Sequence, residues 1–144
     1  MLLDPPTRRT AMRSAKTVIT SAALAAWAFS AGAAPVDPSA AMANIGRTAK
    51  VCGVVVAADY MAGTRANPTF VTVANPDRPD PQATLTAVIY GHDRIKFATP
   101  ETSLQGQRIC VSGHISFFRG RPEMIVSTPR QLSYPAQPSV AQLR

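Results

Sequence analysis

The feature that most constrains the fold is a run of alternating apolar residues, 109–118, followed by a basic linker and a second apolar run, 124–126. Every second residue of the first run falls on one face, namely Ile109, Val111, Gly113, Ile115 and Phe117. A period of two indicates a strand with one buried face. The linker, Arg119-Gly120-Arg121-Pro122, contains a glycine suited to a hairpin turn. We therefore predict a β-hairpin with a cationic tip.

The first 33 residues have the layout of a secretory signal peptide. Basic residues precede an apolar run, 17–29, and small residues follow it, with a cleavage site after Ala33 or Ala34. The alternative is a transmembrane anchor, but the run is shorter than the ~20 apolar residues that span a bilayer. Translation from Met12 would also leave a complete signal. We expect an exported protein, periplasmic or secreted, with no transmembrane anchor after cleavage.

Part of the positive charge belongs to this leader. The whole chain has a formal net charge of +7, and removing the leader leaves eleven basic and seven acidic residues, a net charge of +4. A charge of this size permits an anionic partner without requiring one. The remaining chain, about 110 residues, is the size of one small domain with a single core.

Three further strands and a helical insert precede the hairpin. The predicted strands cover residues 48–60, 69–74 and 84–90. Loops rich in glycine, proline and asparagine separate them. Residues 92–97 then predict a short helix that Asp93 caps and Pro100 ends. Within this helix we expect Ile95 and Phe97 to face inward.

Five strands with a short helix between the third and fourth are the order of an OB-fold, a small, partly open Greek-key barrel. We therefore predict an all-β, five-stranded OB-fold barrel over residues 45–132. Residues 34–44 predict a flexible lead-in, and residues 133–144 predict a loose C-terminal tail. Gly53 and Gly113 lie where the first and fourth strands must coil tightly to close the barrel.

The two cysteines, Cys52 and Cys110, fall in the first and fourth strands. Alternation places both side chains on the face opposite the core, and these two strands are antiparallel neighbours in an OB-fold. A cross-strand disulfide is therefore expected after export. The alternatives are two buried thiols or a metal site, although no nearby CxxC or histidine cluster supports zinc.

A set of short motifs spans residues 45–132. They are Gly53, Pro68-Thr69-Phe70, Val88-Ile89-Tyr90-Gly91, Asp93-Arg94, Lys96-Phe97, Gly106, Ile109-Cys110-Val111, Gly113-His114-Ile115, Arg119-Gly120 and Pro122. The set resembles bacterial OB-fold modules that are usually described as nucleic-acid binding. Some of these modules are exported, and some are attached to other domains, nucleases included. The resemblance implies an anion- or nucleic-acid-binding module.

The residues of the mature chain do not form a catalytic pattern. Its carboxylates are scattered: Asp37, Asp59, Asp77, Asp80, Asp93, Glu101 and Glu123. His92 and His114 lack a neighbouring nucleophile with a third orienting group. The sequence also lacks the acidic metal cluster that a staphylococcal-type nuclease builds on an OB barrel. We expect no enzymatic activity, no cofactor and no bound metal.

The residues fit a binding function better than a catalytic one. In OB-folds the ligand-binding face is formed by strands two and three and the adjoining loops. The expected phosphate contacts are Arg65, Arg119 and Arg121, and the expected stacking residues are Tyr60, Phe70, Tyr90 and Phe118. Single-strand binders combine such a cationic groove with aromatic platforms. The same aromatic residues fit a hydrophobic core equally well, and arginines at a hairpin tip are also ordinary surface residues.

Two functions fit these features. The first is an exported module that binds single-stranded DNA or RNA with little sequence preference. The second is a non-enzymatic envelope module that binds a protein partner or an acidic glycan. The expected compartment favours the second, because single-stranded nucleic acid is scarce outside the cytoplasm.

Overall fold

The computed structural model describes residues 32–78 and 80–135, which form a seven-stranded mixed β-sheet. The strands are β1 Thr48–Tyr60, β2 Thr69–Ala74, β3 Thr84–Ile89, β4 Arg108–His114, β5 Ser116–Phe118, β6 Arg121–Ile125 and β7 Leu132–Ser133. Their order is β5-β6-β3-β2-β1-β4-β7, with β3 and β6 parallel. Residues 1–31, nearly all of the predicted signal peptide, and most of the predicted tail lie outside the described residues. No helix in the described ranges is long and apolar enough to span a membrane.

The long first strand, β1, organises the sheet because it pairs with two strands along its length. Residues 48–54 run antiparallel to β4, and residues 54–60 run antiparallel to β2. The register with β2 shifts between Val55 and Ala57. Such a bulge bends a strand and increases its twist, so the two halves of β1 serve different parts of the sheet.

The fourth and fifth strands are separated only by Ile115, yet they pair with strands far apart in the sheet order. Ile115 is fully buried; its N–H donates to the Arg47 carbonyl at 2.9 Å, and its carbonyl accepts the Gly46 N–H at 2.8 Å. These bonds continue the pairing of β1 with β4 just beyond the ends of the two strands, before the chain enters β5. The sheet must curl to accommodate this short connection.

The all-β prediction is confirmed, but the described residues form a seven-stranded open sheet and not the predicted five-stranded barrel. The predicted fourth strand is divided at Ile115, and β7 is added after it, so the described residues form seven strands. Their hydrogen-bonded order is open, from β5 to β7. The predicted helical insert between the third and fourth strands is present, as α1 Gly91–Arg94, a 3-10 turn Ile95–Phe97 and α2 Pro100–Ser103.

The core lies on the inner face of the curled sheet. Its largest fully buried side chains are Leu85, Ile89, Ile109, Ile115, Met124, Val51, Val55, Val71, Val73, Val88, Val111 and Val126. Gly53 is needed where β1 approaches β2, because a Cβ atom at this position would lie 2.6 Å from the carbonyl oxygen of Ala74. Val51, Gly53 and Val55 are buried on this face of β1, and Cys52 alternates with them, as the pattern predicts.

Three side chains lie elsewhere than the sequence pattern predicts. Phe117, expected in the core, is 57% exposed, because the short strand β5 pairs only with β6 and leaves this end of the hairpin uncovered. Ile95, the first residue of the 3-10 turn that follows α1, is 86% exposed, whereas Phe97 packs against the core as predicted. Asp93 is buried inside α1, whose N-terminal cap is Tyr90.

Residues 34–44, predicted to be a flexible lead-in, pack against the sheet. They form two short 3-10 turns, and Ala41 is fully buried in the core. The Asp37 carboxylate caps the first turn by accepting the Ser39 N–H at 2.9 Å, and it also accepts the Asn75 side-chain amide at 2.6 Å. The segment is thus part of the fold.

A disulfide joins β1 to β4, as predicted. Cys52 and Cys110 are direct cross-strand partners, their Cα atoms lie 4.0 Å apart, and their sulfur atoms are bonded. The two residues are 58 positions apart in the chain. Closing a loop of this length restricts the unfolded chain and so stabilises the folded state.

We expect the double substitution Cys52→Ala/Cys110→Ala to lower the free energy of unfolding by about 2–4 kcal/mol, because the unfolded chain regains conformational freedom. Urea denaturation followed by circular dichroism measures the change, and reduced wild-type protein should behave like the double variant. Unreduced, denatured wild-type protein should contain no thiol that reacts with Ellman's reagent. Two reactive thiols would show that the disulfide does not form.

Candidate functional site

A groove with an aromatic lining runs over the sheet between the 61–68 loop and the β5–β6 hairpin. It has two adjoining parts, a loop end of about 500 Å³ and a strand end of about 440 Å³. The residues that line both parts are Pro68, Phe70, Tyr90 and Phe118. The loop end adds Met61, Thr64, Arg65, Ala66 and Arg119. The strand end adds Val88, Ser116, Phe117, Glu123 and Ile125. We call the whole surface the aromatic groove.

The loop that carries Arg65 has a defined backbone. Its Gly63 N–H donates to the side-chain oxygen of Asn67 at 2.9 Å. Ala66 and Asn67 have positive φ angles of 65° and 40°, a conformation that costs energy for residues other than glycine. Such a conformation persists only where surrounding contacts impose it, so Arg65 projects from a structured loop.

The same loop is tied to the end of β3. The Gly91 N–H donates to the Ala66 carbonyl at 2.8 Å, and a Cβ atom at Gly91 would lie only 2.8 Å from that oxygen. Glycine therefore permits the close approach of the loop to the start of α1. This contact holds Arg65 on the same surface as Tyr90.

The second arginine of the groove, Arg119, lies in the two-residue turn of the β5–β6 hairpin. Phe118 and Arg121 pair across the hairpin, and Arg119 and Gly120 between them have φ angles of 47° and 83°. Positive φ at both central positions is typical of a type I′ turn, in which Asn-Gly is the favoured pair. The Arg119 guanidinium lies 5.3 Å from the centroid of the Phe118 ring, within the range of a cation–π contact.

The structure brings together five of the seven residues that the sequence predicts for binding: Arg65, Phe70, Tyr90, Phe118 and Arg119. Tyr60 lines neither part of the groove, and the Arg94 guanidinium lies over its ring, 4.1 Å from the centroid. Arg121 is exposed opposite Phe118 but also lines neither part. The predicted set therefore divides into a groove cluster and two residues outside it.

The groove arginines have no acidic partner among the described residues. The ion pairs that these residues form are Lys96–Asp93 and Arg94–Glu101, and the His92 ring also contacts the Asp93 carboxylate. Neither Arg65 nor Arg119 takes part in any of them. Their charges are therefore free to attract an anionic ligand, an attraction that salt screens.

The buried Asp93 anchors the helical insert beside the groove. Its carboxylate accepts the Lys96 ammonium at 2.6 Å and lies 3.0 Å from Nε2 of His92. The hydrogen bond from Lys96 holds the pKa of the Asp93 carboxyl below its ordinary value. The His92 ring is parallel to the Tyr90 ring to within 10°, with centroids 6.1 Å apart. Asp93 thus fixes a ring next to a groove residue.

Among the groove residues that were not predicted for binding, the charged one is Glu123, which the sequence pattern missed because it placed the start of the last strand at Met124. In the structure β6 begins at Arg121, and alternation then places Arg121, Glu123 and Ile125 on the outer face. Glu123 lies between the neighbouring strands β3 and β5. Burial raises the pKa of its carboxyl above the ordinary value.

The remaining acidic and histidine residues do not assemble into a second site. Over residues 32–78 and 80–135, no group of three or more His, Cys, Asp or Glu side chains could hold a metal ion. Asp77 and Asp80 are exposed in the proline-rich loop between β2 and β3, where Asp80 accepts the Gln82 N–H at 2.8 Å. Asp80 therefore has a local role in the loop.

Comparison with known proteins shows only distant structural similarity. No protein-family model matches the sequence, and a search of curated proteins finds no match. The chain is similar to a "putative nucleic acid-binding lipoprotein" from Klebsiella pneumoniae subsp. pneumoniae MGH 78578, with a TM-score of 0.45 and 20% identity over 61% of this chain and 74% of that one. It is also similar to a "putative aspartyl-tRNA synthetase" from Leishmania major Friedlin, with a TM-score of 0.46 and 11% identity over 66% of this chain and 20% of the synthetase. TM-scores below 0.5 do not establish a shared fold.

We expect Glu123→Gln to raise the melting temperature at neutral pH and to raise it less in acid. Because the pKa of Glu123 is higher in the folded state than in the unfolded chain, its stabilising contribution is full below the ordinary value of 4.5 and is lost as the pH rises through the folded pKa. Differential scanning calorimetry from acidic to neutral pH measures the difference in melting temperature between variant and wild type. The exposed Asp77→Asn is the control for losing one negative charge. A difference that grows on acidification would contradict the raised pKa.

Proposed function

We propose that this chain is an exported, non-enzymatic module that binds single-stranded nucleic acid in the aromatic groove. The observation that carries the proposal is the convergence of Arg65 and Arg119, from two separate loops, on a surface lined by aromatic rings. Proteins that bind single strands without strong sequence preference combine a positive path for the phosphates with rings on which bases stack. The groove supplies both elements within one surface.

The exposure of the rings supports a binding role. Phe118 is 53% exposed, although a phenylalanine whose only role was in the core would be buried. Phe70 and Tyr90 are half-buried, so their edges or faces remain accessible from the groove. Exposed apolar surface that is bordered by polar and charged groups is typical of an interaction site.

Export is part of the proposal and has two supports. The first is the signal-like layout of residues 1–33. The second is the Cys52–Cys110 disulfide, since such bonds persist chiefly in oxidising compartments. A periplasmic or secreted location fits both.

A second candidate function is the binding of an envelope protein or an acidic glycan. The observation that favours a protein partner is the apolar character of the strand end, where Phe117 and Ile125 are 57% and 47% exposed. An apolar groove of this kind also suits a peptide segment. Oligonucleotide titration separates the two functions, because a groove for a neutral peptide would show weak nucleic-acid binding even at low salt.

We expect the double variant Arg65→Gln/Arg119→Asn to bind a short labelled oligothymidylate at least about tenfold more weakly than wild type in fluorescence anisotropy at low salt, because two phosphate contacts are lost. The slope of log affinity against log salt should become shallower by about 0.7 for each contact. Asparagine is chosen at position 119 because Asn-Gly suits the type I′ turn, so the hairpin is retained.

The matched control is Arg78→Gln/Arg130→Gln, which removes two positive charges outside the groove. Arg78 lies in the loop at the opposite end of β2 and β3 from Tyr90, and Arg130 lies in the 3-10 turn Pro129–Gln131. This control should keep most of the wild-type affinity. Equal weakening by both double variants would show that affinity depends on net charge and not on the groove arginines. Absence of wild-type binding at low salt would overturn the proposed function.

We expect Phe118→Ala to weaken oligothymidylate binding by about 1–3 kcal/mol, because one stacking platform is lost. The salt slope should change little, since no charge is removed. The control is Tyr134→Ala, which removes an aromatic ring that is 62% exposed and lines neither part of the groove. The same anisotropy titration, with melting temperatures for both variants, measures the effect. An unchanged affinity for Phe118→Ala would exclude stacking at this ring.

A further inference from the structure

The strand end of the aromatic groove contains a carboxylate that, among the residues that the structure describes, makes no contact stabilising the fold. Glu123 lines this part of the groove together with Val88, Phe118 and Ile125. The neighbouring Ser116 hydroxyl donates to the backbone carbonyl of Glu123 at 3.1 Å rather than to its side chain. Within the described residues, no hydrogen bond or ion pair reaches the Glu123 carboxylate.

A half-buried carboxylate without a partner is a cost to the folded protein. Removing an ionised group from water is unfavourable unless hydrogen bonds or an opposite charge replace the water. The raised pKa of Glu123 has the same cause, namely burial. A titratable group with this environment in a groove is a candidate for ligand contact, because a ligand can supply the missing donors.

The position of Glu123 gives the two ends of the groove opposite charges. The positive charges of Arg65 and Arg119 lie at the loop end, Glu123 lies at the strand end, and Phe70, Tyr90 and Phe118 line both parts. A phosphate is attracted to the loop end and repelled by the carboxylate. A nucleotide placed along this gradient would have its phosphate near the arginines and the edge of its base near Glu123.

A carboxylate accepts hydrogen bonds but donates none, so it distinguishes bases by the donors on their edges. On the Watson–Crick edge, guanine presents two adjacent donors, N1–H and the N2 amino group, which match the two carboxylate oxygens. Adenine and cytosine present one amino group beside a ring nitrogen that repels the second oxygen. Thymine and uracil present one N–H between two carbonyl groups.

We propose that Glu123 reads the base edge and gives the aromatic groove a preference for guanine. This inference rests on the proposed function and goes beyond it, because stacking and phosphate contacts alone predict little sequence preference. Hydrogen bonds in which the acceptor is ionised are about twice as strong as those between neutral groups. A preference of about tenfold or more for guanine is therefore expected.

The test uses four labelled oligothymidylates, in which the central thymine is kept or is replaced by guanine, hypoxanthine or adenine. Binding of each strand is measured by fluorescence anisotropy. Hypoxanthine lacks only the N2 amino group and so removes one of the two donors. Wild-type protein should bind the guanine strand about tenfold more tightly than the adenine strand, with hypoxanthine between them. The single guanine avoids the four-stranded structures that guanine runs form.

The variant Glu123→Gln should lose the preference for guanine, because its amide group presents one hydrogen-bond acceptor where the carboxylate presents two. The control is Asp77→Asn, which removes one exposed negative charge in the β2–β3 loop and should keep the preference. Each preference is a ratio within one protein, so a partly destabilised variant still gives a valid result.

The outcomes separate this inference from the proposed function. Equal binding of all four strands by wild type, or an unchanged guanine preference in Glu123→Gln, would overturn the role of Glu123 and leave the proposed function standing. Absence of binding to every strand at low salt would overturn both. Loss of the preference in Asp77→Asn would also contradict the assignment, because that residue lies outside the groove.

Discussion

The double pairing of β1 is the constraint on which the rest of the structure depends. One strand of 13 residues pairs with β4 through its first half and with β2 through its second, and the bulge between Val55 and Ala57 bends it between the two. The Cys52–Cys110 disulfide fixes the first pairing covalently. The second pairing positions the 61–68 loop, which leaves the end of β1. The curl of the sheet then brings this loop and the β5–β6 hairpin to one surface.

Backbone strain is concentrated next to that surface. The non-glycine residues with positive φ in the described part of the chain are Ala66, Asn67, Ala98 and Arg119. Three of these four lie in the two loops that border the aromatic groove. Strained conformations persist where surrounding contacts impose them, and they occur preferentially at functional sites. The strain thus supports the groove independently of its charge and its aromatic lining.

Local patterns in the sequence predict most of the strands and the disulfide, because alternation and turn residues act over a few neighbouring positions. The first and second strands have the predicted bounds, and the pairing of Cys52 with Cys110 follows from the faces assigned to them. The same rule fails at Phe117, because alternation predicts burial only where another element covers the strand. It misses Glu123 because β6 contains Pro122 as its second residue, and a proline in the sequence argues against a strand at that point.

The sequence by itself determined the positions of the first three strands, the hairpin with its cationic turn, and the identity of five residues that the structure places along the groove. The tertiary structure alone decided that Arg94 covers one face of the Tyr60 ring, that Arg121 stands outside the groove, and that a carboxylate lies inside it. The physical reason is that exposure depends on contacts between distant residues. Ile115, between β4 and β5, is hydrogen-bonded to Arg47 and Gly46, which lie far from it in the chain, and no pattern within either segment encodes that contact.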